Sequence, residues 1–491
     1  MMDTRRIKKT MALDTALYLP AKAVEGILGI LVINIFTTYF FTPDIIADYS
    51  FGITLVNITN LILMGWISQS STRYISHFQN EGRESDFYKT IITIWAVSSF
   101  VIVVISSVLL LLFRNKASVE LYRLYIFIFI GYNMVQILLP ILAYIRRIKL
   151  NLFLSMGSNL LKLVVTWLLV IVLKNNETTP AAALISYGLT DIFIAMIIIW
   201  RLKLVKHYRN GKVSMEILKT LFAFSLPFLG VNITTALLNL SDRLIVKPLA
   251  GDMAMGVYSY NYLIPGTVFP MISVGVMRGV YPILLKSFRK EEPKQAAELL
   301  SQAIRYFLLL ALPALTGLVS LSGVISRVIL GKEYFEGGFV ISFVAAGVFC
   351  SGFVEFSNKA WEMSANTKPI FKNAAISTVL NLGMNILLIP VYGYRAAAVS
   401  TFISFFLYLC LSVTGSRKQI RWYINMRSLL KMLMSCAAMF LYLFTIKQFL
   451  PNTLWALILL VLSGAGVYLL VLFLSGELKD VTNLFVKRHE E

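Results

Sequence analysis

The sequence predicts an all-α, polytopic membrane protein with 14 transmembrane helices, and three observations lead there. Of the 491 residues, 58% are apolar and only 14% are charged, whereas a soluble globular chain carries ~25% charged residues. The apolar residues fall in blocks of ~20, the length that a helix rising ~1.5 Å per residue needs to cross a ~30 Å hydrocarbon core. Runs such as Ile91 to Phe113 and Leu454 to Leu474 are continuous, unlike the ~10-residue alternating segments of a membrane β-barrel. A cytosolic enzyme, a disordered chain and a disulfide-stapled secreted domain are excluded.

In order, the blocks run over 14–39, 48–70, 89–113, 121–144, 152–173, 181–201, 220–244, 255–277, 300–323, 339–358, 370–390, 395–415, 429–447 and 453–475. Arg5, Arg6, Lys8 and Lys9 precede the first. The apolar run there continues to about Phe41 with no A-x-A site, so it reads as an uncleaved helix and not as a signal peptide. Orientation follows from Lys and Arg in the short gaps. Most of the 45 basic residues lie on the side of the termini, in groups such as Arg146, Arg147 and Lys149, or Arg201, Lys203, Lys206, Arg209, Lys212 and Lys219. Both termini are therefore expected in the cytoplasm, the chain sitting in the inner or plasma membrane. The net charge of +20 reads as an orientation signal and a match to anionic lipid, with no nucleic-acid partner required. The gaps are too short for an extramembranous domain; the longest outer one lies near 324–338.

An internal repeat is visible. Tyr18-Leu19-Pro20 corresponds to Ser225-Leu226-Pro227, and Tyr49-Ser50-Phe51 to Tyr258-Ser259-Tyr260. Tyr74 falls on Tyr281, and Ala181 to Ser186 on Ala396 to Thr401. Six helices return a chain to its starting side, so a duplicated six-helix unit makes two parallel lobes about an axis along the membrane normal, an arrangement suited to alternating access. The expected division is an N-terminal lobe over 1–201, a cytoplasmic linker over 202–219, a C-terminal lobe over 220–415, and an appendage of helices 13 and 14 with a cytoplasmic tail over 416–491. Pro20 and Pro227 each kink the first helix of a lobe, as a static bend or a moving hinge.

Ionisable groups inside spans need a reason, because each costs at least ~2.5 kcal/mol at mid-bilayer. Lys22 and Glu25 lie three apart on one face of span 1. They either face a cleft or snorkel to the interface. Lys162 in span 5 and Asp191 in span 6 come to equal depth on antiparallel helices, and are expected to pair or to bracket one wet cavity. Asp242 and Arg243 near the outer end of span 7, and Arg73 at the inner end of span 2, read first as interface anchors. Glu355 and Lys359 form an i,i+4 pair read as structural. Asn34, Asn57, Asn60, Asn133, Gln136, Asn159, Asn232, Asn239, Asn381 and Asn385 add polarity within spans, part of it interhelical glue. Cys350, Cys410 and Cys436 have no CxxC spacing, and His77, His207 and His489 are far apart in sequence, so no metal site or disulfide is expected.

Two stretches carry a family resemblance. Asn239-Leu-Ser-Asp242-Arg243-Leu-Ile-Val with Met255-Gly-Val-Tyr-Ser259, and Asn381 through Leu387-Leu-Ile-Pro390-Val-Tyr-Gly393-Tyr-Arg-Ala396-Ala-Ala-Val-Ser-Thr401, resemble signatures of Wzx-type polysaccharide flippases. That family lies in the multidrug/oligosaccharidyl-lipid/polysaccharide exporter superfamily, with MATE proteins and lipid II flippases as relatives. Arg395 departs from the pattern, where a small apolar residue is usual. The resemblance implies two lobes around a cationic cavity, with helices 13 and 14 forming a lipid-side groove. The implied substrate is an undecaprenyl-pyrophosphate-linked sugar chain, flipped from the cytoplasmic to the outer leaflet. Lys22, Arg73, Lys162 and Arg243 become candidate anion contacts, and Glu25, Asp191 and Asp242 candidates for proton or sodium coupling. No cofactor is expected; a polysaccharide polymerase and glycosyltransferases are the implied partners.

Two other readings remain. A drug/cation antiporter of the same fold would favour acidic over basic residues in the cleft. A membrane-embedded glycosyltransferase or polymerase would need acidic residues on an extended outer domain; Asp44 and Asp48 stand on a short loop. No Walker A pattern is present, so the chain does not power itself with ATP.

Overall fold

A computed structural model describes residues 42–477 apart from 113–115, 146, 174–178, 290–292 and 365. Span 1, with Pro20, Lys22, Glu25 and Asn34, lies outside the described residues. Every regular element among the described residues is helical. The first unit holds α1 (Pro43–Asn80), α2 (Glu84–Leu112), α3 (Lys116–Tyr144), α4 (Ile148–Leu173), α5 (Thr179–Arg201), the short α6 (Leu204–Asn210) and α7 (Met215–Ala250). The second holds α8 (Asp252–Arg289) from Val257 onward, its first five residues belonging to the first unit, with α9 (Pro293–Ile325), α10 (Gly338–Met363), α11 (Lys368–Tyr392), α12 (Tyr394–Gln419), α13 (Met426–Ile446) and α14 (Leu454–Leu474).

Among the described residues, eleven helices are long and apolar enough to span a membrane, or up to twelve if the bent α7 counts as one span. Fourteen were expected. Span 1 is outside the described part, and α8, though 38 residues long, is diluted by Asp252, Asn261, Arg278, Lys286 and several Ser and Tyr residues. The expected outer loop near 324–338 is also helical, a π turn (Ser326–Leu330) followed by a 3-10 turn (Lys332–Gly337).

Helix ends follow local chemistry. Ser214 accepts from the Ile217 N–H at the start of α7, Asn425 from Arg427 and Ser428 at α13, and Thr453 from Ala456 at α14. Gly393 joins α11 to α12 at φ 62°, a conformation that a side chain would strain. The two halves of α7 meet at 53° between Leu226 and Leu229, where Pro227 removes a ladder hydrogen bond.

The repeat is carried by the helices themselves. α1 and α8 are both 38 residues long and offset by the same 209 at either end (252 − 43 and 289 − 80). Tyr49 and Tyr258 each stand six residues into their helix, both buried. Ala181 and Ala396 each occupy the third position of α5 and α12.

By packing, α7 groups with the helices before it, and the boundary between units falls at Gly256–Val257. The reason is local: α7 lies along α1. The Ser225 hydroxyl donates to the Trp66 carbonyl at 2.7 Å, Phe222 meets Trp66 edge-on, and Phe224 meets Tyr74. The first unit's core gathers Met64, Ile67, Phe87, Ile137, Ile141, Ile194, Ile198 and Leu221. In the second unit, α10 and α12 approach closely over small residues: a Cβ on Gly347 would lie 3.2 Å from the Phe402 Cα.

Gly256 gives a test of close packing. A Cβ there would lie 1.8 Å from the Pro43 carbonyl oxygen, a backbone atom that cannot turn aside. Gly256→Ala is expected to destabilise the protein by ~1–3 kcal/mol, read as a lowered melting midpoint in detergent; an unchanged midpoint would refute the contact.

A candidate functional site of buried charge and hydroxyls

Lys162 and Asp191 each stand near the middle of their helix, more than ~12 Å from either end at ~1.5 Å per residue. The structure brings them together: Lys162 Nζ lies 3.1 Å from Asp191 Oδ1, with side-chain exposures of only 12% and 3%. Both are consecutive-helix residues, so the antiparallel α4 and α5 match their depths, as the spacing predicts. The ammonium also sits 4.0 Å from the Tyr187 ring centroid, adding a cation–π contact in a desolvated place. Thr166 and Ser186 link the same two helices at 2.6 Å.

Two more helices converge here. The Tyr132 hydroxyl of α3 donates to Asn57 Oδ1 of α1, and Tyr49 of α1 meets the Tyr187 ring edge-on at 5.6 Å. Tyr125 of α3 donates to Thr59 of α1 at 2.6 Å. Asp191 Oδ2 and both amide atoms of the buried Asn133 have no hydrogen-bond partner among the described residues. Buried polar groups are rarely left so unless water or a ligand satisfies them. The arrangement can therefore accept a cation or a proton on Asp191, and an anion on Lys162 whenever the ion pair opens.

The other expected site residues are placed elsewhere. Arg73 is exposed and lies 4.4 Å over the Phe224 ring. It stands 16 residues beyond Asn57 on α1, ~24 Å along the axis, and does not join the Lys162 cluster. Asp242 and Arg243 are not exposed anchors at a helix end: α7 continues to Ala250, and both are buried, at 0% and 7% exposure. Arg243 Nη1 donates to the Asn239 carbonyl at 3.2 Å. Lys22 and Glu25 lie outside the described residues.

In the second unit, Lys359 is buried between Glu355 at 2.8 Å and Glu362 at 2.7 Å, so the structural pair is a triad. Asparagine glue is present: the Ser400 hydroxyl of α12 donates to Asn385 of α11, which donates to Asn381 at 3.1 Å. Asn358 receives a bond from Ser412 at 2.7 Å and donates to the Tyr408 oxygen at 3.1 Å. Arg395 makes a long, exposed contact with Glu336 at 3.9 Å. An apolar cavity of about 400 Å³ lies among α8, α9, α13 and α14, walled by Val268, Leu309, Pro313, Met439, Val461 and Leu469. Among the described residues no group of three or more His, Cys, Asp or Glu side chains could hold a metal ion.

Sequence reading passed over Tyr187, Thr166, Tyr132 and Ser412. For two of them a signal was available: Tyr187 is four residues before Asp191 and Thr166 four after Lys162, so each shares a helix face with its charge. Tyr132 and Ser412 meet their partners across helices, which spacing does not disclose.

Comparison with known proteins bears on the family and the fold. The chain is 26% identical over 135 residues to the probable low-salt glycan biosynthesis flippase Agl15 of Haloferax volcanii, covering 28% of this chain and 29% of that protein. It is 27% identical over 214 residues to the probable lipid II flippase MurJ of Rickettsia prowazekii, covering 42% and 41%. The chain thus spans less than half the length of these two curated relatives. A solved structure of the lipid II flippase MurJ in an inward closed conformation superposes with a TM-score of 0.72 at 17% identity, covering 95% of this chain and all of that one. A crystal structure of MATE in complex with MaL6 superposes at 0.62, with 12% identity and 84% and 96% coverage. At those identities the likeness is one of fold. A family model described as "Polysaccharide biosynthesis protein" matches residues 49–337, more than half of the sequence, and the chain belongs to that family.

Proposed function

We propose that this protein is a transporter and not an enzyme: a flippase that moves an undecaprenyl-pyrophosphate-linked polysaccharide repeat unit from the cytoplasmic to the outer leaflet by alternating access. The observation that carries the reading is the Lys162–Asp191 pair, held in mid-helix among tyrosine, threonine and asparagine side chains. A proton or sodium ion arriving on Asp191 releases Lys162 to meet a phosphoryl oxygen. Hydroxyls and amides meet sugar, and the apolar cavity beside α13 and α14 suits a polyprenyl chain. Lys22, Arg73 and Arg243 are further anion contacts on this reading, Glu25 and Asp242 further coupling groups, and the lobes follow the repeat, with 202–219 as linker and both termini cytoplasmic. A polymerase would take the flipped unit, and glycosyltransferases would supply it.

The test is polymer export in cells lacking the native gene, complemented by Lys22→Ala and Lys162→Ala separately. Each is expected to lower export at least ~10-fold, the value of ~1.4 kcal/mol of lost binding. Export intact in both variants would sink the cationic route.

A further inference from the structure

A second cavity lies on α5 and α6, away from the Lys162 cluster. Arg201 is ten residues beyond Asp191 on α5, ~15 Å along the axis. Lys203 breaks the helical path there, at φ 53°, in the left-handed region that non-glycine residues seldom occupy. The turn sets α6 against the start of α2. Leu204 is buried, His207 Nδ1 lies 3.0 Å from the Ser85 hydroxyl, and the His207 ring packs 5.2 Å from Tyr88. The Lys212 N–H donates to Asp86 at 2.6 Å, closing the far end.

With that face pinned, Val205, Lys206 and Arg209 are exposed on the other. Lys206 and Arg209 join Arg147, Arg201 and Lys203 around a cavity of about 720 Å³. None of the described residues lining it is acidic. Arg147 Nη1 donates to the Arg201 carbonyl at 3.0 Å, and the Arg201 guanidinium lies 4.9 Å from the Trp200 ring, so two of the cations are held in place. Five like charges around one space repel one another and call for a concentrated anion. Beside this cavity runs an apolar groove of about 360 Å³, walled by Trp95, Gly131, Met134 and Met196. Ile199 and Val205 line both, so the basic cavity and the apolar one adjoin. Trp200, 71% exposed, stands at the junction, the place an amphipathic ring takes at a membrane interface.

We propose that this two-part cavity binds an anionic membrane phospholipid, its phosphorylated headgroup among the five basic side chains and the start of one acyl chain in the groove. A nucleic acid or acidic protein would use the charge and leave the groove idle; a neutral lipid would do the reverse. Basic pockets between helices at the cytoplasmic side are suited to such headgroups, and the excess of Lys and Arg places this end of α5 there.

The test uses the full chain in detergent, titrated by native mass spectrometry with phosphatidylglycerol, with phosphatidylcholine of the same chains, and with inorganic pyrophosphate as competitor. Phosphatidylglycerol is expected to bind ~10-fold more tightly than phosphatidylcholine, and Lys206→Glu/Arg209→Glu to lose most of that preference. Lys206→Arg/Arg209→Lys is expected to keep it; because both substituted side chains are exposed, a loss in both double variants would contradict a charge-based site. Equal binding of the two lipids, or an unchanged preference in the charge-reversed variant, overturns the headgroup assignment. Pyrophosphate displacing the lipid at equal concentration overturns the part played by the groove.

Discussion

Replacing Asp191 by alanine is expected to destabilise the protein by ~3–5 kcal/mol and to abolish transport. The stability loss follows from Lys162, whose ammonium, 12% exposed, would lose the carboxylate that balances it. Tyr187 and the Thr166–Ser186 link remain, but neither neutralises an ammonium. The informative comparison is the double replacement Lys162→Met/Asp191→Leu. Exchanging both members of a buried pair for apolar residues of similar volume is commonly neutral or stabilising by ~1–4 kcal/mol. Thermal unfolding of the double variant is therefore expected to return to the parent midpoint or above it, while polymer export stays absent. A double variant that exports normally would make the pair a packing element and move the transport site elsewhere in the chain.

Glu477→Ala is expected to loosen the last two helices from α9, with a cost of ~2–3 kcal/mol after allowance for the partly exposed Arg305. Glu477 follows α14 and its side chain is 5% exposed, 2.7 Å from Arg305 Nη2 of α9 and 3.5 Å from Lys431 of α13. The Ser428 hydroxyl donates to the same carboxylate. Burial pushes the Glu477 carboxyl up, but Ser428, Arg305 and Lys431 together outweigh it and hold the carboxyl below the usual range. Its stabilisation is thus fully present above ~4.3, the ordinary glutamate value. It drains away as pH falls through the lower folded value. Parent and Glu477→Ala midpoints are expected to differ at pH 7 and to converge in acid. Proteolysis in the 447–453 connection should quicken in the variant at pH 7. A constant difference between the midpoints down to pH 3 would show that the charge is not what holds these helices.

Membrane sequences make helix content and pairing by depth legible to unequal degrees. The apolar blocks from 89–113 to 453–475 correspond to helices in order, because a chain in hydrocarbon has to satisfy its backbone internally. α8 belongs to that series, yet its polar residues keep it out of the apolar set. The Lys162–Asp191 contact was legible because consecutive antiparallel helices tie depth to sequence position. The fate of Asp242 and Arg243 was not, since the end of an apolar block is not the end of a helix: α7 runs on to Ala250.

By itself the sequence determined an all-helical membrane chain with an internal repeat, basic residues gathered in the gaps between apolar blocks, and two charges at matching depth. Those properties are set by solvent and by repeat spacing, which act along the chain. Only the tertiary structure decided that Tyr132 bonds Asn57, that Tyr49 meets Tyr187 beside the buried pair, and that α7 packs along α1. It also showed that α6, turned at Lys203, leaves five cations around one cavity. Each of these depends on which helix faces touch, and that is settled by side-chain shape across helices, where sequence order carries no distance.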